Sequence, residues 1–138
     1  MKLTPFQIAQ KRMLANDSYS KWLGIEILEI SFGTCTLRMV VRDDMLNGFK
    51  IGHGGITYSL SDSAFAFASN SHGQHAVSIE TSISHIRPIK SGDILTAHAE
   101  EMSRTKSLGI YEIKVENQDY KTVALFKGTV FIKPEVWK

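Results

Sequence analysis

The residues that could do chemistry together are His53-Gly54-Gly55 and Asp62, with Asn47 just upstream in the spacing Asn47-x5-His53. The glycine pair falls where a helix is expected to begin. A helix start leaves backbone N–H groups without partners and carries partial positive charge. Glycine lets another molecule approach that backbone closely. A carbonyl oxygen aimed at the Gly54 amide would be polarised, and the charge of a tetrahedral intermediate stabilised, as in an oxyanion hole. Asp62 lies inside the same helix among Leu60, Ala64 and Phe65, and no Lys or Arg occurs between Ile51 and Ile86. An unpaired carboxylate in apolar surroundings is costly to fold and marks a candidate base or nucleophile. The plainer alternative is an Asp62 turned to solvent or bonded to Ser59 or Ser61. Asn47 either positions a substrate carbonyl or serves turn chemistry in Asn47-Gly48. His53 either orients Gly54 and the bound carbonyl group or is an ordinary loop histidine.

Distance constrains how these groups cooperate. Gly54 and Asp62 are eight residues apart on one helix, about 12 Å at 1.5 Å per residue. A single chain cannot bring both to one carbonyl. If both act on one substrate, they come from different subunits. Two antiparallel central helices related by a two-fold axis would set each Asp62 near the other chain's Gly54.

The elements that position these residues read as one helix, two strands, a central helix and four strands. Thr4-Pro5 looks like an N-cap and N1 pair opening a short amphipathic helix that uses Phe6, Ile8, Met13 and Leu14 and ends near Asn16. Residues 22–30 read as a strand. Residues 34–41 alternate, with Cys35, Leu37, Met39 and Val41 on one side, and form a hairpin with the preceding strand across Gly33. Residues 42–53 form a loop. Ile56, Leu60, Ala64 and Phe67 then recur at helical spacing, with Tyr58, Phe65 and Ala66 on the other side, as in a buried helix. Strands are expected at 76–86, 94–103, 107–117 and 121–132, the last apolar on both faces as in a central strand. The expectation is a single α+β domain over residues 1–138, an antiparallel sheet wrapped around one long helix in the hotdog arrangement.

Composition narrows the function classes. The 138 residues are 43% hydrophobic and 22% charged, with a formal net charge of +2. So small a surplus, with no basic stripe, argues against nucleic-acid binding. No apolar run reaches a membrane span and the N-terminus lacks a signal-peptide pattern. With the single Cys35 read as a buried structural thiol, a cytoplasmic protein is expected. There is no Gly-x-Ser-x-Gly elbow and no phosphate-binding Gly-rich loop. His72 and His75 lie three apart in a loop, while His85 and His98 are isolated, so no metal site is expected.

The loop–helix segment resembles the PaaI-type thioesterases of phenylacetate catabolism, within the hotdog-fold acyl-CoA thioesterases. The resemblance spans nearly the whole chain. It rests on Met45-Leu46-Asn47-Gly48, His53-Gly54-Gly55, residues 59–66 (SLSDSAFA), Arg87-Pro88, Gly92-Asp93 and the segment from Gln118 through Lys121 to Gly128. It implies hydrolysis of an aromatic acyl-CoA, such as hydroxyphenylacetyl-CoA, by a homotetramer of two hotdog dimers without metal or other cofactor. It implies Asp62 as general base or nucleophile, Gly54 as the amide donor, and Asn47 and His53 in support. Ser78 would help place the attacking water. Arg87, Lys90, Arg104 and Lys106, near strand ends, are the candidates for the CoA phosphates; a solvated basic surface is the alternative. The acyl pocket would draw on the central helix, the 42–52 loop and residues 13–22. Two other readings compete. A hotdog hydratase or dehydratase pairs a His with a carboxylate, whereas this sequence carries Asn47 there. A non-catalytic acyl-CoA binding module would not require Asp62.

Overall fold

The computed structural model describes residues 2–138. The chain opens with a reciprocal cap: the Gln7 N–H donates to Thr4 Oγ1 at 3.1 Å and the Thr4 N–H to Gln7 Oε1 at 2.9 Å. The helical path then widens to a π-helix over Gln7–Met13 and tightens to a 3-10 turn over Leu14–Asn16. Ile8 and Leu14 are buried, as the amphipathic reading expects, but Phe6 is exposed.

The expected strand at 22–30 is corrected at its start. Its first residues belong to a second helix, α1 (Ser18–Leu23). Asp17 caps α1 by accepting from the Ser20 N–H at 3.0 Å. Gly24 ends it at φ +76°, donating to Lys21 O at 3.0 Å while the Ile25 N–H reaches Ser20 O at 3.2 Å. That left-handed stop favours glycine. The strand β1 begins only at Glu26 and runs to Ser31, pairing with β2 (Thr34–Val40). The alternation of β2 holds, with Cys35, Leu37 and Met39 buried. They face Ala99, Ala97 and Leu95 of β4 (Ile94–Arg104) across the ladder.

The central helix α2 spans Gly54–Asn70. It is followed by β3 (Gln74–His85), β4, β5 (Leu108–Glu116) and β6 (Thr122–Val136). All pairings are antiparallel, in the order β1-β2-β4-β5-β6-β3. β6 is therefore internal and β3 is an edge. The sheet packs on α2 through β2, β3, β4, β5 and β6. This is the hotdog fold. Ile56, Leu60, Ala64 and Phe67 are buried, and so is Phe65, whose ring meets Tyr111 and Phe126 at 5.8 and 5.7 Å. A helix apolar nearly all round suits a sheet that curls around it, and only one narrow face stays open. That face carries Gly55, Tyr58, Ser59, Asp62 and Ala66. α1 flanks it on one side, through Tyr19 Oη to Ser59 Oγ at 3.0 Å and Ser20 Oγ to Ser63 Oγ at 2.8 Å. β3 flanks it on the other, through Tyr58 Oη to Thr81 Oγ1 at 2.6 Å.

Candidate active site

His53 is the N-cap of α2, with extended backbone at φ −61°, ψ 137°. Its Nδ1 accepts from the Gly55 N–H at 3.1 Å. An accepting Nδ1 carries no proton, so the neutral ring holds its hydrogen on Nε2. His53 O takes the Ile56 N–H at 2.9 Å. Among the described residues, the Gly54 N–H finds no protein acceptor. The helix start thus presents one uncommitted amide, at Gly54, where the partial positive charge is greatest.

A side chain at Gly54 would crowd a histidine of the same chain. A β-carbon there would lie 3.1 Å from His85 Nε2. His85 Nδ1 is 3.3 Å from Thr57 Oγ1, which donates to Gly54 O at 3.1 Å. With the Thr57 hydrogen on Gly54 O, His85 is the donor to Thr57. An imidazole is therefore fixed beside the uncommitted amide. Neither His85 nor Thr57 stood out in the sequence. His85 lies at the far end of β3, and only the curl of the sheet over α2 brings it to Gly54.

The loop 42–53 is pinned by the His53 N–H to Met45 O at 2.9 Å and by a bridge between Leu46 and Gly52. Asn47 Oδ1 accepts from the Phe49 N–H at 2.9 Å, so the turn role is realised. Asn47 also lines a cleft of about 290 Å³ with Gly54, Thr57, His85, Arg87 and Ile89. Both readings of Asn47 are thus compatible with its position.

Asp62 stands half-buried on the open face of α2 and makes no hydrogen bond or ion pair among the described residues. Neither Ser59 nor Ser61 holds it; they bond Tyr19 and Thr57 O instead. Burial raises its pKa above the usual 3.8, and the negative charge of Asp17 raises it further. Asp17 is fixed nearby because both its oxygens bond Ser20. The result is a carboxylate held more basic than usual, with none of the described residues neutralising it.

The other sequence candidates spread along the molecule. Ser78 lies on edge strand β3 opposite buried Val130, on the helix-facing side of the sheet just before a bulge. It is exposed and bonds none of the other candidates. Arg87 joins the Gly54 cleft and donates to Thr122 O at 2.7 Å. Lys90 follows on the next turn. Arg104 and Lys106 sit at the opposite end, where Arg104 donates to Gln74 Oε1 at 3.1 Å near the exit of α2. The 17-residue helix, about 25 Å long, separates the two pairs. Within one chain, Gly54, Asn47 and Arg87 come together, whereas Asp62, Ser78, Arg104 and Lys106 do not join them. The other histidines are also accounted for: His72 bonds Glu101 at 2.8 Å, His98 bonds Glu116 at 2.8 Å, and His75 packs on Trp137. Burial pushes the Cys35 thiol up to about 12, as suits an inert core residue. No described helix is long and apolar enough to cross a membrane.

Comparison with known proteins agrees with this geometry. Residues 49–124 match the family described as Thioesterase superfamily. Over 116 residues the chain is 45% identical to the acyl-coenzyme A thioesterase PaaI of Escherichia coli K12, covering 84% of this chain and 83% of that protein. A putative esterase of Archaeoglobus fulgidus is 41% identical over 119 residues, with 86% and 77% covered. The solved structure of the E. coli PaaI protein from the phenylacetic acid degradation operon superposes with a TM-score of 0.93 at 41% identity, over 96% of this chain and 95% of that one. A Streptococcus mutans protein solved with acetyl CoA bound gives 0.79 at 25% identity, over 82% and 91%. With the hotdog fold, the amide at the start of α2 and this level of identity together, the chain belongs to the PaaI-type thioesterases of the Thioesterase superfamily.

Proposed function

We propose that this protein hydrolyses acyl-CoA thioesters with an aromatic acyl group, at a site shared between two protomers. The observation that carries the reading is a pair of unsatisfied groups on one helix. Among the described residues the Gly54 N–H has no acceptor and Asp62 has no donor, and the two lie eight residues apart, so neither can complete the other within its own chain. A second copy related by a two-fold axis supplies the missing partner to each. The open face of α2 and the edge strand β3 that flanks it form the surface such a copy would cover. Pairing of two such dimers would give the homotetramer.

In this reading the thioester oxygen accepts from the Gly54 N–H of one protomer. Asp62 of the other takes a proton from water as the water oxygen bonds to the carbonyl carbon. Collapse of the intermediate breaks the C–S bond. The free acid leaves, and the proton held on Asp62 passes to the CoA thiolate. Direct attack by Asp62, giving an acyl-aspartyl anhydride that water then cleaves, reaches the same products. The raised pKa of Asp62 makes it a better base than an ordinary carboxylate. Arg87, which lines the Gly54 cleft, and Lys90, three residues on, would take the CoA phosphates. Ser78, on the helix-facing side of the edge strand, would lie at the shared interface and help place the water.

The test is thiol release from phenylacetyl-, hydroxyphenylacetyl-, benzoyl- and straight-chain acyl-CoAs by the native chain, Asp62→Ala and Asp62→Asn. The reading predicts turnover by the native chain and a loss of roughly 100-fold or more in both variants, the lower end of what a catalytic base contributes. Native inactivity across the panel, or variants as active as the native chain, would refute it.

A further inference from the structure

Two clefts open at the start of α2, one on each side of Gly54. The first holds Asn47, Gly54, His85 and Arg87. The second, of about 390 Å³, has Tyr19, Trp22, Asp44, His53, Gly55 and Ile56 in its lining. It draws on α1, the 42–53 loop and α2 together. Its aromatic wall is built rather than incidental. The Tyr19 and Trp22 rings lie nearly parallel, with interplanar angle 16° and centroids 6.0 Å apart. Arg42 sits over the Trp22 ring at 4.9 Å and is itself held by Asp44 at 3.1 Å. Tyr19 Oη is tied to Ser59 on α2, and α1 is fixed to α2 through Ser20 and Ser63. Yet Tyr19 is 52% and Trp22 46% exposed. Large aromatic surface locked in place and left open to a cleft is a recognition surface in waiting.

We propose that Tyr19 and Trp22 form the acyl-recognition wall of the site and select a flat aromatic acyl group, so that the thioester straddles the start of α2 with its acyl end on the Trp22 side and its pantetheine end on the Arg87 side. This rests on the thioesterase reading of Gly54. Two observations assign the wall to the acyl group rather than to the adenine of CoA. The wall adjoins His53 and Gly55, the residues flanking the amide that holds the carbonyl, so it meets what is bonded directly to that carbonyl. The adenine lies a full pantetheine arm away. The charges point the same way: the one cation at the wall, Arg42, is paired with Asp44, which would repel the CoA phosphates. Arg87 stands on the opposite flank. An aromatic acyl ring is uncharged, needs no counter-ion, and gains both apolar burial and ring stacking against Tyr19 and Trp22.

The experiment is calorimetric titration with two non-hydrolysable CoA ketones, in which a methylene replaces the thioester sulfur. One carries a phenylacetyl group and the other a butyryl group. They are titrated into the native chain, Trp22→Leu and Tyr19→Leu, with melting curves to show that each variant is folded. The native chain should prefer the aromatic ligand by about 10-fold or more, the scale of one to two stacked-ring contacts. In either leucine variant the preference should fall to near unity, with the butyryl affinity little changed. A native chain with no aromatic preference overturns the assignment. So does a preference that survives in both variants, or an equal loss of both ligands, which would place the wall on the CoA portion. Because the readout is binding, the two readings fail separately. A chain that binds with aromatic preference but hydrolyses nothing refutes the thioesterase reading alone, and one that hydrolyses without aromatic preference refutes the wall and the aromatic choice of substrate while the thioesterase chemistry stands.

Discussion

The two ends of α2 are built on opposite principles. At the C-terminal end, polar groups are satisfied from every direction. Asn70 is buried and uses its whole amide: it donates to Ala66 O and Ala76 O and accepts from the Ala76 N–H and Trp137 Nε1. Ser71 donates to Ala68 O and accepts from the Gly33 N–H. Beside it, Glu101 Oε1 takes the Tyr111 hydroxyl at 2.6 Å and bonds His72 at 2.8 Å. At the N-terminal end and along the open face, the Gly54 amide and the Asp62 carboxylate have no such partners. The buried polar network locks one end of the helix to the sheet, and the other end keeps its electrostatics for something that is not part of the chain. Stability and function are thus carried by opposite ends of one helix, and substitutions at the two ends should behave differently.

The largest difference is expected at Gly54. Gly54→Pro deletes the N–H at a position where helices tolerate proline, and the extended backbone of His53 is compatible with a following proline. The kcat for aromatic acyl-CoA should fall by about 100- to 1000-fold, the cost of losing one oxyanion donor. Melting temperature should fall only modestly, because the proline β-carbon makes the His85 ring give way slightly. Steady-state kinetics beside a thermal melt check both halves.

At the other end, Glu101→Ala strands the hydroxyl of buried Tyr111 and should cost about 2 kcal/mol of stability. Activity per folded molecule should stay near native. Glu101→Gln keeps an acceptor and should cost less. Burial alone would raise the Glu101 pKa, but hydrogen bonds from Tyr111 and His72, with the charges of His72 and Arg104, hold it below the usual 4.5. Its contribution is therefore complete above that value and is lost as pH falls through the lowered one. Urea melts of native and Glu101→Gln between pH 7 and pH 3 should converge at the acid end.

The smallest effect has the opposite sign. Because the Asp62 pKa is raised, its ionised form opposes folding. That penalty is absent below about 3.8, where the group is protonated folded or unfolded, and grows as pH rises through the raised value. Asp62→Asn should therefore melt somewhat higher than the native chain at pH 7, with the gain vanishing in acid, while activity collapses. A variant that loses both stability and activity would show Asp62 to be part of the framework.

The contrast between the ends also explains what the sequence disclosed. The start of α2 was legible because its signals are local: two glycines, apolar residues at helical spacing after them, and a carboxylate among those residues with no cation near. The alternation of β2 and the doubly apolar β6 were legible for the same reason. The satisfied end was not. His72, Glu101 and Tyr111 come from three separate elements, and nothing in their neighbours announces the meeting. His85 reaches Gly54, and Asp17 reaches Asp62, only through the curl of the sheet and the docking of α1. That helix was itself hidden, because Trp22-Leu23 runs into Ile25, Ile27 and Ile30 and the whole reads as a strand. Asp17 as cap and Gly24 as stop were the overlooked marks. The cations Arg87, Lys90, Arg104 and Lys106 looked like one group because all lie near strand ends, yet those ends are at opposite poles of the helix.

The central claim is that Gly54 and Asp62 serve one substrate from two chains. The most direct test is to denature Gly54→Pro and Asp62→Asn, each inactive alone, and refold them together in equal amounts. Half of randomly paired dimers would be mixed, and each mixed dimer would hold one intact site, so about a quarter of native thioesterase activity should return. Activity that stays at the background of the separate variants, while the two chains demonstrably co-assemble, would contradict the shared site.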